Sequence, residues 1–168
     1  MSKINNLNDV YIENLKDLYS ANEQSEKTTR ELAQAAHDPE LVSALEAGVE
    51  GIQKGQKAIE KLCEARGESP TGKHCKGMEG LCKEAKAHGI NAEFGDNDAQ
   101  DAMIIAQYQR MVHYAIAGYG TAEAWAERLG YSECAEQLET CKEDTYSGDQ
   151  HMTDIATGKK GINAMAAE

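Results

Sequence analysis

The sequence predicts an all-α protein built on four long helices. Three observations predict it. Alanine occurs 24 times and valine four times in 168 residues, with two prolines and one phenylalanine. Alanine, glutamate, lysine and leucine favour helix, whereas β-branched and aromatic residues favour strand. Apolar residues recur at spacings of three and four along several long stretches, the period of one helix face. Stop and start signals, namely Asp38-Pro39, Gly67 and Gly130, separate those stretches.

Helix A is expected over residues 8–36. Leu7, Val10, Tyr11, Leu15 and Leu18 open it at helical spacing, and its second half, ANEQSEKTTRELAQAA, is polar for a bundle helix. Asp38 is a natural N-cap with Pro39 at the first helical position. Helix B follows over 39–66, with a seam of Leu41, Leu45, Gly48, Ile52, Gly55, Ile59 and Leu62. The glycines at 48, 51 and 55 each weaken a helix interior by up to about 1 kcal/mol relative to alanine. GESPTGKHC reads as a loop, 76–88 as a short helix and 89–97 as a second loop. Helix C is expected over 98–128 and helix D over 132–157. Residues 1–157 thus form one domain, and 158–168, without a pattern, are expected to be a flexible tail.

Short A–B and C–D connections make those pairs antiparallel. A crossover of roughly 30 residues, carrying its own short helix, lets helix C start at the same end as helix A, in a ferritin-like arrangement. Helix C carries apolar residues around most of its circumference, from Met103 to Tyr119. Such a helix is buried on more than one side. A bundle core on one face and a homodimer interface on the other would satisfy it.

The formal net charge is -12, with 17 Lys+Arg against 29 Asp+Glu. That balance argues against nucleic acid and against an anionic membrane surface. No apolar run approaches the roughly 18 residues of a membrane span. The opening MSKINNLNDV has no apolar segment of the kind a secretory signal carries, so a cytoplasmic location is expected. Cys63, Cys75, Cys82, Cys134 and Cys141 are odd in number and form no CxxC pair, which points to free thiols in a reducing compartment. No nucleophile triad, P-loop or dinucleotide fingerprint occurs.

Helical bundles of this plan hold metals mid-bundle through a Glu on each of two helices and a Glu-x-x-His pair on each of the others. The chain has no complete copy of that pair. Glu50 is followed by Gln53, His113 is preceded by Arg110, and Glu143 is followed by Tyr146.

The segments LNDVYIENLKDLYSANEQ, HDPELVSALE, GKHCKGMEGL, HYAIAGYGTAEAWAERLGY and the end of helix D, with Asp149 and TDIA, together resemble the YciF-type ferritin-like family of bacterial stress proteins. The resemblance covers about residues 7 to 157, and the run from His113 to Thr121 is its most specific part. It implies a four-helix bundle with a crossover helix, usually a homodimer, related in fold to rubrerythrin and ferritin. It also implies metal-site positions, and there this chain departs. Asn22 stands where helix A of relatives has a carboxylate. Gly48, Gly51 and Ile52 stand where helix B has His-x-x-Glu-Thr. Val112 and Ala115 flank His113-Tyr114 where helix C has Glu-His-Tyr-Glu, and Asp144-Thr145 stands for a paired carboxylate in helix D. Several carboxylates in a dry core need a metal or protons to neutralise them. Replacing nearly all of them points to a site that is gone rather than changed.

The expectation is therefore a non-catalytic, metal-free, stress-associated homodimer, or a protein working through a partner, with no cofactor. The rival is a dinuclear iron or manganese oxidoreductase acting on peroxide or oxygen through a relocated site, for which Glu50, His113 and Asp144 are the first ligand candidates. Glu23, Glu26, Glu143 and His151 complete the pool for a shifted site. His113 is expected to be a hydrogen-bonded core residue and Glu50 a solvated or seam-flanking one. Gly48, Gly51 and Gly55, with Val112 and Ala115, either allow close packing filled by Tyr108 and Tyr146 or line a small internal cavity.

Overall fold

The computed structural model describes residues 4–167. Its elements are α1 (Leu7–Ala35), α2 (Pro39–Glu64), α3 (Lys76–Ala85), a π-helical turn (Lys86–Ile90), α4 (Asn97–Arg128), α5 (Ser132–Thr157) and the short α6 (Ile162–Met165). No strand occurs among the described residues. Several boundaries have a local cause. Asn6, Asp38 and Asp96 accept hydrogen bonds from the first turns of α1, α2 and α4, each such cap contributing about 1 kcal/mol. Gly67 and Gly130 end α2 and the α4–α5 turn at φ of +70° and +75°, a conformation that costs glycine nothing and other residues dearly. The helix expected over 76–88 instead passes into the π turn. There Gly89 is buried, and a Cβ would lie 3.2 Å from Leu32 Cδ2.

α1 packs on α2 and α4, and α5 packs on α2 and α4, so the four helices form a square. α4 runs antiparallel to α1: Asn14 bonds the carbonyl of Gly118, Asp17 meets Tyr114, and His37 and Asp38 meet Asp101. This corrects the expected direction. Helix C does not start at the end where helix A starts. The crossover travels the length of the bundle and delivers the start of α4 beside the α1–α2 turn, parallel to α2. Asp101 makes that docking, its buried carboxylate accepting from His37 N at 2.9 Å and Asp38 N at 2.7 Å.

The apolar core falls into two clusters. One, around Leu32, Leu41, Leu45, Ile104 and Met152, fills the end near the α1–α2 turn. The other, around Tyr11, Leu15, Leu18, Ile59, Leu62 and Leu138, fills the opposite end. Along α1 the polar half lies inside: Ser20, Asn22, Ser25, Thr28 and Thr29 are all buried. The tail expected to be flexible is docked. Ile162 is 1% exposed within the first cluster, and α6 rests on α4 and α5.

Candidate functional site

A cavity of about 490 Å³ opens at mid-bundle. Its α2 wall includes Gly48, Gly51 and Gly55 and its α4 wall Tyr108, Val112, Ala115 and Tyr119; Asn22 of α1 and Thr145 of α5 also line it, with Asp144 and His151 of α5 exposed at its edge. All six positions where the family resemblance implies lost ligands lie on this one cavity: Asn22, Gly48, Gly51, Val112, Ala115 and Thr145. The glycines have distinct roles. A Cβ at Gly48 would collide with Tyr108 Oη, and one at Gly55 with Tyr119 Oη. At Gly51 nothing lies within 4 Å. Two glycines thus admit tyrosines while the third leaves open space. Tyr146 plays no part in the filling, since it is 51% exposed. Its place is taken by Tyr119, which lies on the α4 face turned toward α2.

The polar atoms here are few and mostly engaged. Asn22 Nδ2 donates to Tyr119 Oη at 2.9 Å, and Thr145 Oγ1 donates to the Cys141 carbonyl at 2.6 Å. Burial pushes the Tyr108 phenol up to about 12, Asp149 adding to the effect, and raises Tyr119 further, so both are neutral hydroxyls at pH 7. Tyr108 Oη makes no hydrogen bond among the described residues, although the residue is 5% exposed. Thr29 Oγ1, also on the cavity lining, is buried without a partner.

The ligand candidates are not brought together. Glu50 is exposed on α2, and Gln53 instead donates to Glu26 at 2.9 Å. His113 is not the core histidine expected. Its side chain is 61% exposed, and its Nε2 lies 3.1 Å from Asp149 Oδ2. The reason is angular: one residue on from Val112 turns about 100° around the helix, away from the cavity. Asp144 is exposed at the cavity mouth. Among the described residues no three His, Cys, Asp or Glu side chains converge as a metal site would need. Two phenols, an amide and a hydroxyl bonded to its own helix do not fit a dinuclear iron or manganese centre, which takes carboxylates and imidazoles.

The cysteines are all free, and four of them are buried. Burial raises Cys63 and Cys141 to about 11 and also lifts Cys75 and Cys82, which keeps these thiols protonated and weakly nucleophilic. Cys75 has a clear structural task. Its N–H donates to Ser20 Oγ, its carbonyl accepts from Gln24, and its sulfur lies 3.0 Å from Tyr114 Oη and 3.2 Å from Asp17. Tyr114 in turn donates to Asp17 at 2.5 Å. A Cβ at Gly77 would crowd the Tyr114 ring at 2.9 Å. The GKHCKG stretch is thus the clamp that ties the crossover to α1 and α4.

The chain matches, over residues 6–167, the model of a family described as a domain of unknown function, DUF892. It belongs to that family. It is also 34% identical to Protein YciF of Escherichia coli (strain K12) over 151 residues, which is 89% of this chain and 90% of that protein. The crystal structure of the Escherichia coli stress protein YciF matches with a TM-score of 0.87 at 31% identity, covering 98% of this chain and 100% of that one. YcfI of Rhodopseudomonas palustris, a proposed structural protein, matches at 0.87 and 29%, covering 93% and 98%. A protein of Xanthomonas campestris shares the fold at 0.74 and 16%, covering 96% and 95%. The YciF-type resemblance carried by HYAIAGYGTAEAWAERLGY and its companion segments therefore holds over nearly the whole length.

Proposed function

We propose that this chain is a non-catalytic, metal-free member of the ferritin-like bundle class, a stress-associated cytoplasmic protein that acts as a homodimer or through a partner. The single observation that carries the reading is the composition of the mid-bundle layer. Six positions on four helices line one cavity and none carries a carboxylate or an imidazole, while Asp144 and His151, also on the lining, are exposed and belong to no cluster of three possible ligands among the described residues. One long crossover between two antiparallel hairpins is the ferritin-like connection. The stress association rests on YciF, called a stress protein, and the non-catalytic role gains support from YcfI, described as a proposed structural protein. No helix among the described residues is long and apolar enough to cross a membrane. The acidic charge makes nucleic acid an unfavourable partner. The homodimer reading draws on α4, where the apolar side chains of Met103 and Ala106 stay only half-buried.

The test is a restoration series, Asn22→Glu, Gly51→Glu, Val112→Glu and Thr145→Glu, singly and combined. The combined variant is expected to gain iron or manganese that the parent does not hold. Peroxide turnover by the iron-loaded parent would favour the rival oxidoreductase. Sedimentation of the parent should give two copies per particle, and a monomer with no partner recovered from cells would contradict the assembly reading.

A further inference from the structure

We propose that the mid-bundle cavity is a binding site for a small amphipathic carboxylate, its apolar body along the Gly48–Gly51–Gly55 wall and its charge among Lys54, Lys57 and Lys61. The volume of about 490 Å³ falls within the roughly 300–1,000 Å³ range of small-ligand clefts. The wall is apolar and unobstructed at Gly51, where nothing lies within 4 Å of a would-be Cβ. A glycine stripe alone would mean close helix packing. Here an independent observation points to an occupant. Tyr108 is 5% exposed, its hydroxyl lies on the cavity, and it has no hydrogen-bond partner among the described residues. The Tyr108 oxygen keeps access to the cavity space, and Thr29 Oγ1 on the same lining is buried without a partner, whereas buried hydroxyls are normally paired.

The charge pattern selects an anion. Lys54, Lys57 and Lys61 share one edge of α2 at the cavity, and none of them makes an ion pair or side-chain hydrogen bond among the described residues. The carboxylate on the facing edge is Asp144. Three unpaired cations against one carboxylate is a local excess in a chain of net charge -12. Length follows from helix rise. Lys54, Lys57 and Lys61 lie about 9, 14 and 20 Å along α2 from Gly48, where Tyr108 sits. An elongated ligand can therefore reach the lysines with one end and Tyr108 with the other, where a polar atom at the inner end would bond the Tyr108 hydroxyl.

The inference rests on the metal-free reading of the bundle centre, so metal content is measured on the same preparation and the two can fail separately. The experiment is calorimetric titration of the full chain with decanoate, ω-hydroxydecanoate and decanol, each below its aggregation limit. One decanoate per chain should bind saturably. ω-Hydroxydecanoate should bind more tightly, and Tyr108→Phe should remove that advantage. Replacing the three lysines by glutamine should weaken decanoate about tenfold, the loss of roughly one charge-assisted hydrogen bond, and leave decanol nearly unchanged. Gly51→Leu, which fills the open space, should abolish binding of all three. Ala47→Leu, on the same lining, provides a second block if Gly51→Leu does not fold. Absence of saturable decanoate binding, or binding that survives both filled variants, would overturn the proposal.

Discussion

Asp101 shows how much one side chain can carry. It is fully buried and holds two backbone N–H groups of the α1–α2 turn. Nothing in the sequence marks it, because an aspartate in the first turns of a helix reads as favourable dipole pairing. Asp101→Ala should lower stability by about 2–4 kcal/mol, since two N–H groups lose a charged acceptor. Asp101→Asn should cost less, one oxygen still accepting. Urea denaturation of both variants measures this, and equal, small losses would show the turn held by other contacts. His113 teaches the reverse lesson. Its chemistry attracts attention in the sequence, yet one step of helical rotation puts it outside the bundle.

At the scale of single helices, α2 and α1 explain each other. The glycines of α2 and the polar residues of α1 look like weaknesses when each helix is read alone. Together with α4 they form one layer, where Tyr108 and Tyr119 lean into Gly48 and Gly55, and Asn22 bonds Tyr119. Gly51→Ala should therefore raise stability by about 0.5–1 kcal/mol, the helix-propensity gain with no clash. Gly48→Ala should lower it, and Tyr108→Phe should recover much of the loss by removing the colliding hydroxyl. Thermal melts of the two single glycine variants and the double variant decide this; additive effects would contradict the contact. The helices themselves were legible from alanine content, apolar spacing, Asp38-Pro39, Gly67 and Gly130. Gly48 and Gly55 stood out in the regular α2 seam, but that seam left both close packing and a cavity open, and Asn22, Val112, Ala115 and Thr145 came from the family resemblance rather than from spacing. The direction of α4 was not legible, since loop length alone does not say which end a crossover reaches. Ile162 was missed because one buried side chain leaves no periodicity. The α3 start and the α1–α2 face also set an acid response. Arg30 and Gln53 hold Glu26 below the usual carboxylate range, and Lys83 with His74 draws Glu79 down to about 2. Carboxyls lowered in the folded state contribute stability that is present above their unfolded value and lost as pH falls toward the folded one. The urea midpoint should thus be lower at pH 3 than at pH 7, and Glu26→Gln should flatten that difference. A midpoint that rises on acidification would contradict these pairings.

Over the whole molecule, two apolar clusters enclose a mid-bundle layer of small and neutral polar groups. That layer is where a bundle of this connection would carry its charge and its metal. A layer without buried carboxylates avoids charges that would each cost several kcal/mol without a cation. It also leaves a space whose edge bears three unpaired lysines. The outer surface offers little else, for the large apolar side chains left exposed among the described residues are Ile4, Tyr146 and Met165. Any homodimer face would therefore be built largely from small, polar and half-buried residues. The central claim is that the bundle centre no longer binds metal. Its most direct test is metal content per chain by mass spectrometry, on untagged protein purified without chelators and then reloaded with iron and manganese. The account predicts near-zero occupancy after reloading. One or two tightly held ions per chain would contradict it.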